Sequence, residues 1–156
     1  MKEITMKKIS LFVWLTIPIF FSGSVSANGQ ISKEVSSFIE SYVETFNQRQ
    51  SLNEFFHFPN VWLVGDSSSP RILQDSSVPI VDYGKLIETG WHHSTINEIS
   101  VIMANEERAF ATLDFSRMGE NGDEIVRSTV MYTIAKEGDE WGIVVAAAIS
   151  PVAMPD

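Results

Sequence analysis

The second half of the chain alternates between apolar and polar residues over four long runs. A period of two is typical of strands with one buried face, and these runs cover residues 95–104, 108–117, 124–136 and 141–149. Asn121-Gly122 interrupts the pattern once, and residues 137–139 interrupt it again. An Asn-Gly pair between apolar runs predicts a tight hairpin with both residues at positive φ. We therefore expect an antiparallel meander.

The first half of the chain has a helical pattern. Apolar residues recur every three or four positions over residues 31–46, which predicts a long amphipathic helix lying on an apolar surface. Residues 51–54 (Ser-Leu-Asn-Glu) have the form of a capping box. They predict a second, short helix that carries Phe55 and Phe56 and ends at Pro59.

A strand and a third helix are predicted between these helices and the meander. The strand covers residues 60–65, and a polar stretch at 66–81 includes a short strand at 71–73. Asp82 is placed to cap the third helix, and Gly90 lies where that helix should stop. Helices before a meander of strands indicate an α+β domain.

The faces of the long strands predict an association surface. The last strand, residues 141–149, is apolar on both faces, while Thr129, Met131 and Thr133 lie on a face that the helices cannot also cover. A sheet with one solvated face should alternate cleanly. We therefore expect helices on one face and a second copy of the chain on the other, forming a homodimer.

The first 27 residues have the pattern of a secretory signal peptide. A charged start precedes an apolar run at 9–21, and Val25-Ser26-Ala27 supplies small residues for cleavage. Because the run is too short to span a bilayer, we expect an exported domain at 28–156, periplasmic or secreted. An uncleaved membrane anchor is the alternative, and Met6 is an alternative start to Met1.

Composition narrows the possible partners. Cleavage would leave 8 basic and 19 acidic residues, a net charge of −11. Such a surface repels nucleic acid and anionic membranes, so we expect neither as a partner. The chain has no cysteine, which excludes disulfides, thiol nucleophiles, cysteine zinc sites and lipid attachment at the signal boundary. No cofactor is expected, because no phosphate loop, nucleophile elbow or metal-spacing motif occurs.

Several short segments together suggest a family. They are Tyr42-Val43-Glu44-Thr45-Phe46-Asn47, Phe55-Phe56, residues 109–117, Asn121-Gly122-Asp123 and Trp141-Gly142-Ile143. In this order the chain resembles, over residues 31–149, the nuclear transport factor 2-like superfamily, which includes ketosteroid isomerases and the polyketide cyclase SnoaL. The resemblance implies a strongly bent antiparallel sheet, shaped as a cone around a pocket that the long first helix closes. Because this scaffold hosts isomerases, cyclases, dehydratases and non-catalytic binding modules, the fold does not choose among them.

The resemblance also provides candidate catalytic residues. Tyr42 matches the helix tyrosine with which ketosteroid isomerases donate a hydrogen bond to a developing oxyanion; a packed core tyrosine is the alternative. On an ungapped comparison the catalytic aspartate of the isomerases falls on Val64 and their second donor on Met131, and neither side chain can do that work. Asp66 remains a candidate base, although its serine-rich surroundings also suit a turn.

Histidines are the other candidate bases, and the chain has three of them. One of His92 and His93 is expected at the mouth of the cone, and His92 is the candidate catalytic residue. Adjacent strand residues face opposite sides, so we do not expect these two to share a metal ion. His57, between two phenylalanines, is expected to pack or to cap a helix.

Charged residues near the first long hairpin have two interpretations. Asp114 and Arg127 are expected to form a solvated cross-strand pair. Arg117 belongs to the apolar face of its strand, where an arginine can hold the carboxylate of a ligand.

Two functions fit these observations. The first is an exported domain that binds a small apolar or acidic molecule, or a partner protein, without chemistry; it fits the missing catalytic aspartate. The second is a small isomerase, cyclase or dehydratase that uses Tyr42 with a histidine or aspartate. The side chains expected to bind a ligand are Tyr42, Trp62, Trp91, Arg117 and Tyr132.

Overall fold

The computed structural model describes residues 27–64 and 69–148, and the predicted signal peptide before Ala27, like Asp66, lies outside them. The elements are α1 (Ala27–Asn47), a short 3₁₀ turn (Asn53–Phe55), β1 (Phe56–Val64), β2 (Arg71–Leu73), α2 (Tyr83–Glu88), β3 (His93–Ala104), β4 (Arg108–Met118), β5 (Glu124–Glu137) and β6 (Glu140–Ala148). Within the described residues, no helix combines the length and hydropathy needed to cross a bilayer.

The six strands form one strongly curved sheet that does not close into a barrel. Its order is β2-β1-β6-β5-β4-β3, and β3 to β6 form the predicted antiparallel meander. β1 joins the meander by pairing in parallel with β6, and β2 pairs antiparallel with β1. Register shifts interrupt four of the strand pairings, and such bulges bend strands. The α+β class and the bent, cone-like sheet are confirmed.

The helix α1 lies on the concave face of the sheet. Its predicted apolar stripe is buried, with Val35 and Ile39 fully so. The sheet contributes Ala109, Leu113 and Ile134 from the apolar faces of β4 and β5, which are also buried. Burying one Val or Ile side chain is worth about 1.5–3 kcal/mol, so packing rather than helix propensity holds α1 in place.

The third predicted helix is present as α2, with the predicted boundaries. The Asp82 carboxylate accepts a hydrogen bond of 3.0 Å from the Lys85 backbone N–H, which satisfies a donor of the first turn. Gly90 follows the helix with φ of +86°, a conformation that favours glycine.

The second predicted helix is wrong beyond its first turn. Leu52, rather than Ser51, stands at the N-cap and makes no side-chain capping bond, and β1 already begins at Phe56. Pro59 lies inside β1, after a cis peptide bond, where the pairing with β6 is irregular. Because Pro has no N–H to donate, it fits a strand at such an irregularity.

The first hairpin is wider than the Asn-Gly pair predicts. β4 ends at Met118 and β5 begins at Glu124, and the Gly119 N–H donates to the Asp123 carbonyl at 2.8 Å. Gly122 has φ of +83°, as predicted. Asn121 does not have a positive φ, because Arg49 is the one non-glycine residue with positive φ in the described chain. The longer loop therefore contains one left-handed residue instead of two, and a register shift precedes it between Arg117 and Met118.

Strand β6 breaks the predicted alternation. Its register with β5 shifts between Thr133 and Ile134, which leaves Val144 without a partner in the pairing. A strict period of two would place Ile143 on the other face of β6 from Ala146 and Ala148. Because of the shift, Ile143 is instead buried on the same face as both. A bulge reverses the parity of all later residues, and the sequence carries no sign of it.

Gly142 is expected to be intolerant of a side chain. A Cβ atom at this position would lie 2.5 Å from three atoms of the His57 ring, so the ring must move. We expect Gly142→Ala to lower the free energy of unfolding by about 1–3 kcal/mol, measured by urea denaturation. Adding His57→Ala should recover most of this loss; losses that simply add would contradict the packing of His57 on Gly142.

Candidate functional site

A cavity of about 40 Å³ opens between α1 and the concave face of the sheet. One buried water needs about 10–15 Å³ on this measure, so the cavity has room for a few water-sized groups. Its lining is mostly apolar and consists of Tyr42, Val43, Phe46, Trp62, Val81, Ser94, Leu113, Phe115, Arg117, Val130 and Tyr132. Four of the five predicted ligand-binding side chains are in this set.

Strand register brings the lining side chains together. Trp62 pairs with Ala146, which pairs with Tyr132, so the two aromatic residues lie in one row across β6. Leu113 pairs with Val130 in the next row of the same face. Side chains on one face of a strand repeat every second residue. This part of the lining is therefore formed by alternate residues of three strands, β1, β4 and β5.

Two tyrosines of the lining pack against each other. The rings of Tyr42 and Tyr132 pack edge to face with centroids 6.1 Å apart. Burial raises the pKa of Tyr42 to about 12 and also raises the pKa of Tyr132. Both side chains are therefore neutral phenols at physiological pH, able to donate hydrogen bonds but unsuited to abstract protons.

Arg117 supplies a positive charge to the same lining. The residue is 9% exposed and stands opposite Ser94 in the pairing of β3 with β4. Its guanidinium carbon lies 6.0 Å from the centroid of the Phe115 ring, and its Nε atom is buried without a hydrogen-bond partner. Burial lowers the pKa of this guanidinium, because charge is disfavoured where water is excluded.

The C-terminal end of α1 is fixed to the sheet beside Arg117. The Asn47 side chain donates to the Ser94 carbonyl at 2.8 Å and accepts from the Ser94 N–H at 2.7 Å. Trp91 donates from Nε1 to the Ser94 hydroxyl at 3.0 Å. Trp91, expected in the lining, instead lies behind it, stacked on Tyr83 with centroids 6.2 Å apart.

The histidines lie away from the cavity. His92 is exposed, its Nδ1 is 3.1 Å from Nδ1 of His93, and neither ring belongs to the lining. His57 packs against Gly142, as the sequence suggested, and lies 3.9 Å from a Glu137 carboxylate oxygen. In the part of the chain that the structure describes, no group of three or more His, Cys, Asp or Glu side chains is arranged to hold a metal ion.

Met131 corrects the ungapped comparison with the isomerases. Its side chain is 49% exposed on the outer face, so it does not correspond to a donor inside a cone. The neighbouring inner positions are Val130 and Tyr132, both of which line the cavity.

The Asp114–Arg127 pair lies on the outer face, as expected. Two bonds join them, Nε to Oδ1 at 2.9 Å and Nη2 to Oδ2 at 3.1 Å. These bonds, followed by one from Asn97, hold the pKa of Asp114 below its usual value. The pair is solvated, so its contribution to folding is small.

Comparisons with known proteins point to one fold. The family model described as NTF2-like protein (DUF6841) matches residues 33–151. Solved structures with the same fold include an NTF2-like protein with a cystatin-like fold from Novosphingobium aromaticivorans, at 13% identity and a TM-score of 0.54, covering 76% of this chain and 80% of that one. An NTF2-like protein of unknown function from Pseudomonas putida is 12% identical, with a TM-score of 0.56 and coverages of 81% and 90%. A search of curated protein sequences finds no match.

Proposed function

This chain belongs to the NTF2-like family, and we propose that it is an exported domain that binds a small apolar or acidic molecule in the cavity under α1, without transforming it. The observation that carries the proposal is the composition of the cavity lining. Apolar side chains such as Leu113 and Val130 form most of the wall, and a few polar groups converge on it from Tyr42, Tyr132 and Arg117. Concave apolar sites with a few placed polar groups are the usual form of small-molecule sites.

The absence of a base in the described lining supports binding over catalysis. No carboxylate or imidazole belongs to the lining within the described residues, and His92 is at the surface. Proton transfer near neutral pH needs a group whose pKa is close to that pH. The tyrosines do not meet this need, because burial raises the pKa of both Tyr42 and Tyr132.

Replacing Tyr42 by Phe separates binding from catalysis. In a binding module, we expect the free energy of unfolding to change by about 1 kcal/mol and a polar ligand to bind about tenfold more weakly. In an isomerase, cyclase or dehydratase that uses Tyr42 as an oxyanion donor, the rate should instead fall by about 10²–10³ at unchanged stability. Urea denaturation and isothermal titration with small acids and alcohols make the comparison.

Tyr83→Phe is the matched control for this experiment. The Tyr83 hydroxyl donates to the Gln50 carbonyl at 3.0 Å, outside the cavity lining. The control should show a similar loss of stability with unchanged ligand binding. Equal effects of both substitutions on binding would argue against a site at Tyr42.

We further propose a homodimer that packs through the outer sheet face. Exposed apolar side chains on this face support it: Leu63 at 44%, Phe110 at 40% and Met131 at 49%. Leu63 and Met131 lie in one row, since both pair with Ala147. A pair of subunits that buries about 1,600 Å² in total would be ordinary in size.

Met131→Lys is expected to convert this dimer to monomers, because a charge would be buried at the interface without a partner. Sedimentation at micromolar concentration checks the result. Ile87→Lys is the control, since Ile87 is 43% exposed on the helix α2 rather than on the sheet, and its substitution should leave the dimer intact. A monomeric wild type would contradict the proposal.

Export rests on the N-terminal pattern. Cleavage after Ala27 would leave α1 almost whole, and the first buried residue of this helix, Val35, follows well after the cleavage site. N-terminal sequencing of periplasmic or secreted material should begin at Asn28. Membrane-bound protein with an intact start at Met1 or Met6 would contradict it.

A further inference from the structure

Arg117 is a buried cation without a counter-charge. It is 9% exposed, its Nε atom has no acceptor, and no carboxylate of the described residues bonds to it. Arg127, by contrast, is exposed and holds Asp114 through two hydrogen bonds. Burying a charge is unfavourable unless it is paired and hydrogen-bonded. A guanidinium kept inside a cavity in this way is suited to a ligand that brings the negative charge.

The surroundings of Arg117 are compatible with an anion despite the net charge of −9 for the whole chain. Its neighbours in the lining include Phe115 and Ser94, which carry no negative charge, and no described carboxylate shares the cavity. Tyr42 belongs to the same lining, and because burial raises its pKa to about 12, its hydroxyl is a neutral hydrogen-bond donor at physiological pH. A bound anion would therefore meet a cation and a neutral donor without repulsion inside the cavity.

The rest of the cavity limits the shape of such an anion. Leu113 and Val130 form an apolar wall, and the volume of about 40 Å³ holds only a few water-sized groups. An inorganic anion would leave the apolar wall without a partner, and a long acyl chain would not fit. The planar fork of a guanidinium matches the two oxygens of a carboxylate.

Resting on the proposed binding function, we infer that the ligand is a short-chain aliphatic monocarboxylate, with its carboxylate on Arg117 and its alkyl group against Leu113 and Val130. Propionate is the size that the cavity admits, and longer acids such as hexanoate bind more weakly because side chains must move to admit them. The positive charge of Arg117 therefore binds the ligand carboxylate and does not stabilise the folded state.

The test is a calorimetric titration of the full mature chain with propionate and with propionamide, its neutral counterpart of the same size. Wild type should bind propionate at least about tenfold more tightly than propionamide, since a charge-assisted hydrogen bond replaces a neutral one. Arg117→Met should weaken propionate by about tenfold to a hundredfold and leave propionamide nearly unchanged. Arg127→Met makes the same chemical change on the outer face and should leave both affinities at the wild-type value.

The stability of the Arg117→Met variant is a second readout, and its change would have the opposite sign if Arg117 stabilised the fold. Arg117→Met should raise the urea midpoint, because it replaces an unpaired buried charge with an apolar side chain. A lower midpoint with unchanged propionate affinity would overturn the inference. Should the methionine variant not fold, Arg117→Gln, which removes the charge and keeps a donor, is expected to show the same weakening of propionate by about tenfold.

The two proposals fail in different ways. Equal binding of propionate and propionamide by wild type would overturn the carboxylate inference and leave the proposed binding function standing. Binding of neither compound, nor of a small alcohol, would overturn both. Equal binding of phosphate and propionate would also overturn the inference, because the apolar wall would then contribute nothing.

Discussion

Above pH 10 the protein is expected to lose stability steeply, because buried tyrosines become able to ionise only when the chain unfolds. Tyr42 has its pKa raised from 10.0 to about 12 by burial. A group whose pKa is raised on folding contributes stability that is complete below its unfolded pKa and is lost as the pH rises towards its folded pKa. Two pKa units correspond to about 2.7 kcal/mol for Tyr42, and Tyr132 adds to the loss in the same pH range.

Urea denaturation at neutral pH and at about pH 11 measures this loss, and phenolate absorbance reports ionisation. All three tyrosines of the chain have raised pKa values, so the native protein should show little phenolate at pH 10. In Tyr42→Phe the dependence of stability on pH should be weaker. Half-ionisation of the tyrosines near pH 10 in a protein that stays folded would contradict the buried Tyr42–Tyr132 pair.

Trp62→Ala should be among the most destabilising substitutions in the chain. Trp62 is 3% exposed, stacks on Phe56 with centroids 5.6 Å apart, and donates from Nε1 to the Asn60 side-chain oxygen at 3.0 Å. Removing the ring should reduce the free energy of unfolding by about 3–5 kcal/mol. Asn60, which is 1% exposed, would also lose its partner, at a further cost of about 1–3 kcal/mol.

Leu63→Ala is the matched control on the next residue of β1. Leu63 is 44% exposed on the outer face, so its truncation should change the free energy of unfolding of a single chain by less than about 1 kcal/mol. Chemical denaturation at low protein concentration gives both values. Equal losses would contradict the assignment of Trp62 to the concave face.

The sequence predicted buried faces correctly wherever the alternation was unbroken. In β4, Ala109, Ala111 and Leu113 are buried while Phe110 points outwards, as a period of two requires. In β6 the same rule failed, because one bulged residue, Val144, reverses the parity of the later residues of that strand. The run Phe55-Phe56-His57-Phe58 was wrongly predicted as part of a helix, because a short apolar run fits a helix and a strand equally well.

Much of the candidate site could be predicted, for identifiable reasons. Tyr42 lies on the apolar stripe of α1, and Arg117 keeps the parity of the buried face of β4. Ser94 and Val81 could not be predicted, because their places depend on how β3 and the loop before α2 meet the sheet. Trp91 was expected among the aromatic side chains of the lining, but it contacts the lining residue Ser94 from behind through a hydrogen bond. The family resemblance was confirmed by the match over residues 33–151.

The most direct test of the account is to locate a bound small molecule by nuclear Overhauser effects. Propionate and a small alcohol would each be added to methyl-labelled protein. We expect contacts between ligand methyl protons and the methyl groups of Leu113 and Val130, which line the cavity. Contacts confined to Met103 and Met131, which are exposed at 66% and 49%, or no contact to the cavity with either compound, would contradict a ligand site under α1.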